Sequence, residues 1–177
     1  MKRFIGFIKK EFYHIIRDRR SLFILFGMPI AQIMLFGFAI TNEINNVDIA
    51  ILDHSKDATT KEIINKISAS KYFSIKQILD KEEDIASVFK KGHVKAVLNF
   101  EQNFSENLIK ENKAAIQIVT DATNPNTANT ISNYINAIVI QYQKELNKSS
   151  ISNYQINTRT RLVYNPELKS VYMFVPG

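Results

Sequence analysis

The sequence contains no cysteine, no tryptophan and only three histidines among its 177 residues. Without cysteine, no disulfide can crosslink the fold, and no thiolate can act as a nucleophile or a metal ligand. His14, His54 and His93 are widely separated and lack the spacing of a metal site. These absences exclude thiol chemistry and give no sequence signal for a metal.

Sequence motifs for nucleotide binding and acid–base catalysis are also missing. No GxxxxGK[ST] or GxGxxG stretch occurs, so the chain has no recognisable phosphate-binding loop. The densest carboxylate cluster, residues 80–84, is explained better by the solvated start of a helix than by a catalytic acid–base pair. We therefore predict no catalytic residue, no cofactor and no metal, and we do not expect this chain to be an enzyme.

The positive charge of the chain is concentrated at one end. The formal net charge is +6, and the first twenty residues hold seven Lys or Arg against two acids. Residues 42–168 hold fifteen of each sign, so the body of the protein is neutral. A nucleic-acid-binding module would carry basic residues on a folded face. The charge pattern therefore predicts no nucleic-acid partner.

Residues 22–40 form one long hydrophobic run, LFILFGMPIAQIMLFGFAI, with no charged side chain. As a helix this run would extend about 28 Å, close to the thickness of the hydrocarbon core of a bilayer. We predict a transmembrane helix over residues 21–41, and the basic flank places the N-terminus in the cytoplasm. The alternative is a cleaved signal peptide, but the run is longer than the roughly 7–15 apolar residues of such peptides.

Residues 1–20 combine basic side chains with apolar ones at helical spacing. This pattern predicts an amphipathic helix that lies in the cytoplasmic headgroup layer of the lipid bilayer. A basic segment that only orients membrane insertion is the alternative. The apolar positions are Phe4, Ile5, Ile8, Phe12, Ile15 and Ile16.

Residues 42–168 alternate short β-type and longer helical patterns, which predicts an extracytoplasmic α/β (α+β) domain with a mixed sheet. We predict helix starts at Thr59, which would form a capping box with Glu62, at Asp80, and at Thr127 as an N-cap, and a helix stop at Gly92. Residues 147–153 read as a loop. Strands are predicted at 47–52, 72–78, 94–100, 115–120 and 155–164, and helices at 59–68, 80–92, 104–110 and 127–146.

Several stretches of the chain, in order, resemble the permease (transmembrane) subunits of type-2 ABC exporters. The resemblance begins with Lys10-Glu11-Phe12 and Arg17-Asp18-Arg19 and continues into Met28-Pro29-Ile30 of the apolar run. It extends over the domain through 47–53, 92–98, 120–128 and 164–170, and it ends on Val175-Pro176-Gly177.

This resemblance implies a fold, a location and partners. It implies an interfacial elbow helix, a bacterial inner-membrane location, and export driven by a separate cytoplasmic ABC ATPase subunit. A second permease subunit, in a homo- or heterodimer, and a periplasmic adaptor protein are the other implied partners. Residues proposed to contact the ATPase are Glu11, Arg17, Asp18 and Arg19; alternatively they are solvated or touch lipid headgroups.

A second group of residues reads as structural. Asp121 opens a stretch that is rich in turn-forming residues, followed by Asn126 and Thr127. Asn165 and Pro166 are expected to end the last strand before the chain returns to the membrane.

Members of that family are about twice as long and carry several further spans, whereas residues 169–177 read as the start of a truncated second transmembrane helix. We therefore expect the N-terminal half of a permease, either a fragment or a split subunit. The alternative function is a single-span, membrane-anchored extracytoplasmic binding or interaction domain without transport activity. The substrate is not readable from these residues.

Overall fold

The computed structural model describes residues 2–39, 44–150 and 152–169. The chain divides into two compact units, Met1–Thr41 and Asn42–Gly177. Residues 169–177 were predicted to begin a truncated second transmembrane helix, and all of them except Lys169 lie outside the described residues.

The first unit is helical over its described length, except at Asp18. Helix α1 (Lys2–Arg17) is followed by the short α2 (Arg19–Leu22), a π-helical stretch (Phe23–Gly27) and α3 (Met28–Ala39). Helix α1 ends earlier than the predicted residue 20 because Asp18 adopts an extended backbone and caps α2.

The predicted transmembrane segment 22–40 is divided among α2, the π-helical stretch and α3, and Ile40 lies outside the described residues. Within the part of the chain that the structure describes, no helix is both long enough and apolar enough to span a membrane. The transmembrane helix and the placement of residues 1–20 at the membrane surface therefore stay predictions.

The second unit is built on a five-stranded mixed sheet of order β2-β1-β3-β4-β5, which confirms the predicted α/β class. Strand β3 pairs antiparallel with β4, and the other three pairs are parallel. The strands are β1 (Val47–Asp53), β2 (Phe73–Leu79), β3 (Ala96–Phe100), β4 (Lys113–Asp121) and β5 (Gln155–Val163). The helices are α4 (Ala58–Ser68), α5 (Asp84–Lys90), α6 (Phe104–Glu111) and α7 (Pro125–Lys148).

The larger core lies on the sheet face that carries α4, α6 and α7. Alternate residues of the strands point to it because side chains in a strand alternate between the two faces. Helix residues such as Ile63, Phe104 and Ile131 complete this core and are fully buried. The strand residues include Ile49, Ile51, Leu98, Phe100, Ile116 and Ile118.

The opposite face of the sheet has a smaller core. Helix α5 contributes Ile85, Val88 and Phe89, which pack with Leu52 and Val97 of the central strands. Nearer to β4 this face is polar, because Asn99 of β3 and Gln117 of β4 form a cross-strand pair there.

All three predicted N-terminal helix caps are wrong. The N-cap of α4 is Asp57, whose carboxylate accepts a hydrogen bond from the Thr60 N–H at 2.9 Å. The predicted capping-box partners make other contacts instead: the Thr59 hydroxyl lies 2.6 Å from that of Ser105, and Glu62 accepts a hydrogen bond from the Tyr142 hydroxyl.

The other two helices also begin at residues that differ from the prediction. Helix α5 begins at Asp84, after the turn residues Glu82 and Glu83, so Asp80 lies outside it. Helix α7 begins at Pro125, a residue that suits the first helical position, and Asn124 is its N-cap in place of Thr127. Helix α7 also continues to Lys148, so the predicted loop at 147–153 begins only at residue 149.

Gly92 follows the end of α5 in the left-handed conformation, with φ +70°. Its N–H donates to the Phe89 carbonyl at 2.9 Å, which satisfies a carbonyl at the end of α5. The predicted helix stop is therefore present.

Candidate functional site

One face of helix α1 carries a group of polar and charged side chains near its C-terminal end. Lys10, Tyr13, His14 and Arg17 occur at helical intervals of three and four residues, so they project from the same side of the helix. Together with Asp18 they line an open cavity of 450 Å³. Among the proposed ATPase-contact residues, the structure thus brings Arg17 and Asp18 together.

Asp18 has a defined structural role at this site. Its Oδ2 accepts a hydrogen bond from the Ser21 hydroxyl at 2.7 Å, and its Oδ1 accepts one from the Arg20 N–H at 3.0 Å. These two bonds, with that of Ser21 the stronger influence, hold the pKa of Asp18 below its usual value. The charge of Asp18 is therefore engaged in starting α2.

Glu11 and Arg19, the other two proposed contact residues, do not line this cavity. Glu11 lies 3.8 Å from Lys10 in an exposed ion pair. The residues that complete the cavity, Lys10, Tyr13 and His14, were missed by the sequence reasoning. Their spacing along α1 is the signal that would have found them.

At one end of the sheet in the second unit, the first strand begins and the last strand ends. Strand β1 begins there, and the parallel strand β5 ends there next to the end of β4. Three backbone hydrogen bonds connect the strand ends: Lys95 N–H to Asp48 carbonyl, Asp121 N–H to Lys95 carbonyl, and Ala122 N–H to Val163 carbonyl. We call this the terminal end of the sheet.

Asp121 organises the terminal end. Its Oδ1 accepts hydrogen bonds from the N–H (3.0 Å) and the hydroxyl (2.6 Å) of Thr123, and its Oδ2 lies 3.0 Å from Lys95 Nζ. Partial burial raises the pKa of Asp121, but the bonds from Thr123 and the Lys95 ammonium outweigh it and leave the pKa below its usual value. Asp121 therefore fixes the turn from β4 into α7.

Asn126 and Thr127 lie in the first turn of α7. Their backbone N–H groups donate to Asn124 Oδ1 at 3.1 and 3.2 Å, so the structure assigns them a place in the helix cap. Asn126 is exposed and Thr127 is half-buried.

Asn165 and Pro166 follow β5 at the same end of the sheet. Asn165 is only 1% exposed, and its side chain holds both backbone polar groups of Lys169, each at 3.0 Å. Tyr164, immediately before it, has a left-handed backbone (φ 71°). The chain therefore turns sharply after the strand, and Pro166 lies exposed in that turn.

A second carboxylate network, which the sequence reasoning missed, lies at the opposite end of β1. Asp53 accepts hydrogen bonds from the Thr60 hydroxyl and from two backbone N–H groups, of Ser55 and Lys56. Asp57 caps α4 and also accepts the Ser105 N–H of α6 at 2.8 Å. Because these oxygens are already bonded to protein donors, the network stabilises the fold. Among residues 2–39, 44–150 and 152–169, no group of three His, Asp or Glu side chains is placed to hold a metal ion.

Comparison with known proteins decides the family. The family described as "ABC-2 family transporter protein" matches residues 19–177, which is most of the chain and includes the whole sheet domain. The chain belongs to this ABC-2 family. The predicted resemblance to permease subunits of type-2 ABC exporters is therefore confirmed at the level of the family.

Two curated ABC-2 relatives from Escherichia coli carry permease names. The probable multidrug ABC transporter permease YbhR is 28% identical over 170 residues, which cover 96% of this chain and 46% of the relative. The probable multidrug ABC transporter permease YbhS is 25% identical over 171 residues, which cover 95% of this chain and 45% of the relative. The chain thus spans about half the length of the curated relatives it matches, and such relatives imply a membrane location.

A crystallised domain assigned to an ABC type-2 transporter from Thermotoga maritima is also similar to this chain. The TM-score is 0.47 and the sequence identity is 19%, over 65% of this chain and 86% of that domain.

Proposed function

We propose that this chain is the N-terminal portion of a permease subunit of an ATP-driven ABC-2-type exporter. A separate cytoplasmic ABC ATPase would hydrolyse ATP, and a second permease subunit, identical or different, would complete the membrane part. The cargo moves out of the cytoplasm. The family match over residues 19–177 is the observation that carries this proposal.

The terminal end of the sheet supports the topology of this proposal. A domain that is inserted between two membrane segments must receive and return its chain on the side that faces the bilayer. The shared position of residues 44–47 and 164–169 at the terminal end supports this topology. In our proposal, residues 21–41 span the inner membrane, the domain is extracytoplasmic, and a periplasmic adaptor is a further candidate partner for its outer surface.

The charged cavity on α1 is the proposed contact for the ATPase. In the proposed topology residues 1–20 lie on the cytoplasmic side, where an ATPase approaches. Arg17 and Lys10 present positive charge beside Tyr13 and His14, a combination that suits an acidic partner surface. Glu11 and Arg19, outside this cavity, contact the ATPase or the lipid headgroups from the neighbouring faces of the helices.

Co-purification tests this proposal. The complete gene product that contains this chain is expressed with the ABC ATPase subunit encoded beside it, and one of the two carries an affinity tag. We expect the two proteins to purify together. If they never associate in any detergent or nanodisc preparation, the exporter assignment is wrong, and the anchored interaction domain becomes the better interpretation.

Matched variants then locate the contact on α1. Reversing the charge of Arg17 (Arg17→Glu) should reduce the recovered ATPase at least several-fold, because a repulsive charge then faces the partner. Arg3→Glu is the control, since Arg3 carries the same charge on α1 but does not line the cavity. Equal recovery with the two variants would contradict the proposed contact.

A further inference from the structure

A groove runs between helix α4 and the edge strand β2 in the second unit. Its volume is 520 Å³. The apolar part of its lining comes mainly from Ile64 of α4 and from Ile75 and Ile78 of β2, which we call the isoleucine lining. Ile78 is 69% exposed, an unusual position for a large apolar side chain in a strand.

A β-bulge builds the isoleucine lining. Ile49 of β1 pairs with Ile75, but the next residue, Ala50, pairs with Gln77, so β2 contains one extra residue. In a regular strand, residues three apart point to opposite faces. The bulge places Ile75 and Ile78 on the same face of the sheet, the face that packs against α4. Without it, one of them would point to the α5 side of the sheet.

Two lysines near the carboxyl end of β1 add positive charge to the groove. The Thr60 hydroxyl donates to Asp53, which holds the start of α4 beside that strand end. Lys56 and Lys61 line the groove there. Among the described residues, Lys61 forms no salt bridge, and Lys56 has only an exposed one, 3.8 Å from Asp80. Because such exposed pairs are weak, both ammonium groups are available to a ligand.

Asp53 also lines the groove but does not neutralise these lysines by direct pairing. Its carboxylate oxygens accept hydrogen bonds from the Thr60 hydroxyl and from the N–H groups of Ser55 and Lys56. The groove thus combines an apolar lining with two ammonium groups at one end.

We propose that this groove binds a small molecule that has an apolar body and one anionic group. The apolar body would contact the isoleucine lining, and the anion would lie near Lys56 and Lys61. A volume of 520 Å³ falls within the range of about 300–1,000 Å³ that is typical of small-molecule sites. A protein partner of standard size would need roughly 20–30 residues on this side, whereas eight residues line the groove. This site does not depend on the proposed transport function.

The test uses the full chain in lipid nanodiscs with isotope-labelled isoleucine δ-methyl groups. The probe is anilinonaphthalene sulfonate, which is apolar with one anionic group, and its uncharged counterpart is phenylnaphthylamine. NMR shifts of individual methyl groups report binding at the site even when the probes also enter the lipid. We expect saturable shifts at Ile64, Ile75 and Ile78, with unchanged signals from the exposed Ile109 and Ile140.

Charge and lining are tested separately with matched variants. The variant Lys61→Glu removes a weak attraction for the sulfonate and adds a repulsive charge. It should therefore weaken binding of the sulfonate by about five- to tenfold. Lys113→Glu, at an exposed lysine outside the groove, should leave binding unchanged. Ile78→Asp should abolish the saturable shifts, whereas Ile109→Asp, at an equally exposed isoleucine, should preserve them.

Three results would overturn the proposal. The first is no saturable shift at the isoleucine lining. The second is equal affinity for the charged and the uncharged probe, which would show that the lysines select nothing. The third is a set of shifts at Ile64, Ile75 and Ile78 that depends on protein concentration without any probe, which would identify a second copy of the chain as the occupant.

Discussion

Asp57 Oδ2 accepts a hydrogen bond from the backbone N–H of Ser105 at 2.8 Å, although the two residues are 48 positions apart. The same carboxylate caps α4 through the Thr60 N–H and accepts the Ser55 hydroxyl. The Ser55 hydroxyl oxygen in turn accepts the Phe104 N–H at 3.0 Å. One side chain therefore holds the starts of two helices, and it joins a local turn to a distant part of the fold.

Removal of this carboxylate should destabilise the second unit markedly. Replacement of one N-cap residue by alanine costs about 0.5–2 kcal/mol, and Asp57→Ala removes the acceptor at two helix starts. We expect a loss of roughly 2–3 kcal/mol in the free energy of unfolding. Urea unfolding of the full chain in nanodiscs, followed by circular dichroism at the helical band, measures it.

Asp80→Ala is the matched control for this prediction. Asp80 is exposed, caps no helix, and has only a weak ion pair with Lys56. Its replacement should change the free energy of unfolding by less than about 0.5 kcal/mol. A similar loss with both variants would show that Asp57 does not act as the shared cap.

The stability of the second unit should fall in acid partly through Asp57. Partial burial raises the pKa of Asp57, but hydrogen bonds from Ser55, Thr60 and Ser105 outweigh that effect and leave the pKa below the usual 3.8. A lowered folded-state pKa contributes stability above the unfolded-state pKa, and this contribution is lost as the pH falls through the folded-state pKa.

The variant Asp57→Asn, which cannot ionise, tests this pH dependence. Wild type should exceed the variant in stability at pH 6, and the difference should shrink as the pH is lowered past 3.8. Unfolding curves at a series of pH values measure the difference. A constant difference over that range would contradict the role of the ionised carboxylate.

The start of α7 distinguishes two neighbouring residues. Asn124→Ala should lower the free energy of unfolding by about 1 kcal/mol, because Asn124 Oδ1 accepts the N–H groups of Asn126 and Thr127. Thr127→Ala should cost less, since the Thr127 side chain caps nothing. Urea unfolding compares the two variants. The reverse order would restore Thr127 as the cap.

The absence of cysteine makes the proposed topology directly measurable. Single cysteines can be introduced at exposed positions of each unit, as Lys9→Cys in α1 and Lys90→Cys in α5. In intact spheroplasts, a membrane-impermeant maleimide should label the cysteine at 90 and not the one at 9, which should react only after lysis. The opposite pattern would reverse the proposed orientation, and labelling of both before lysis would remove the membrane barrier between them.

Local sequence determined the elements whose signals are short-range. The short apolar run of β1 and the helical spacing in α4, α6 and α7 are patterns that neighbouring residues alone establish. The left-handed position of Gly92 after α5 is likewise local, because only the missing Cβ is needed there. The family resemblance rested on motifs in order along the chain, which a sequence comparison reads without a structure.

Tertiary structure alone decided which of several suitable residues acts as a cap. Asp57 and Thr59 are both good N-cap residues by type. Asp57 is the cap because its carboxylate also reaches Ser105 of α6, a contact that no local pattern contains. The cavity on α1, in contrast, is predictable from local sequence. Its lining comes from one helix, where the helical spacing puts Lys10, Tyr13, His14 and Arg17 on one side.

The groove shows the same limit most clearly. Ile64, Ile75 and Ile78 were each visible as apolar residues of a helix or a strand, and regular strand alternation would have separated Ile75 from Ile78. A single extra residue in β2, opposite the regular strand β1, brings them onto one face beside α4. The sequence therefore determined which segments form helices and strands, whereas the pairing of distant strands decided which side chains meet, because register is a property of two segments together.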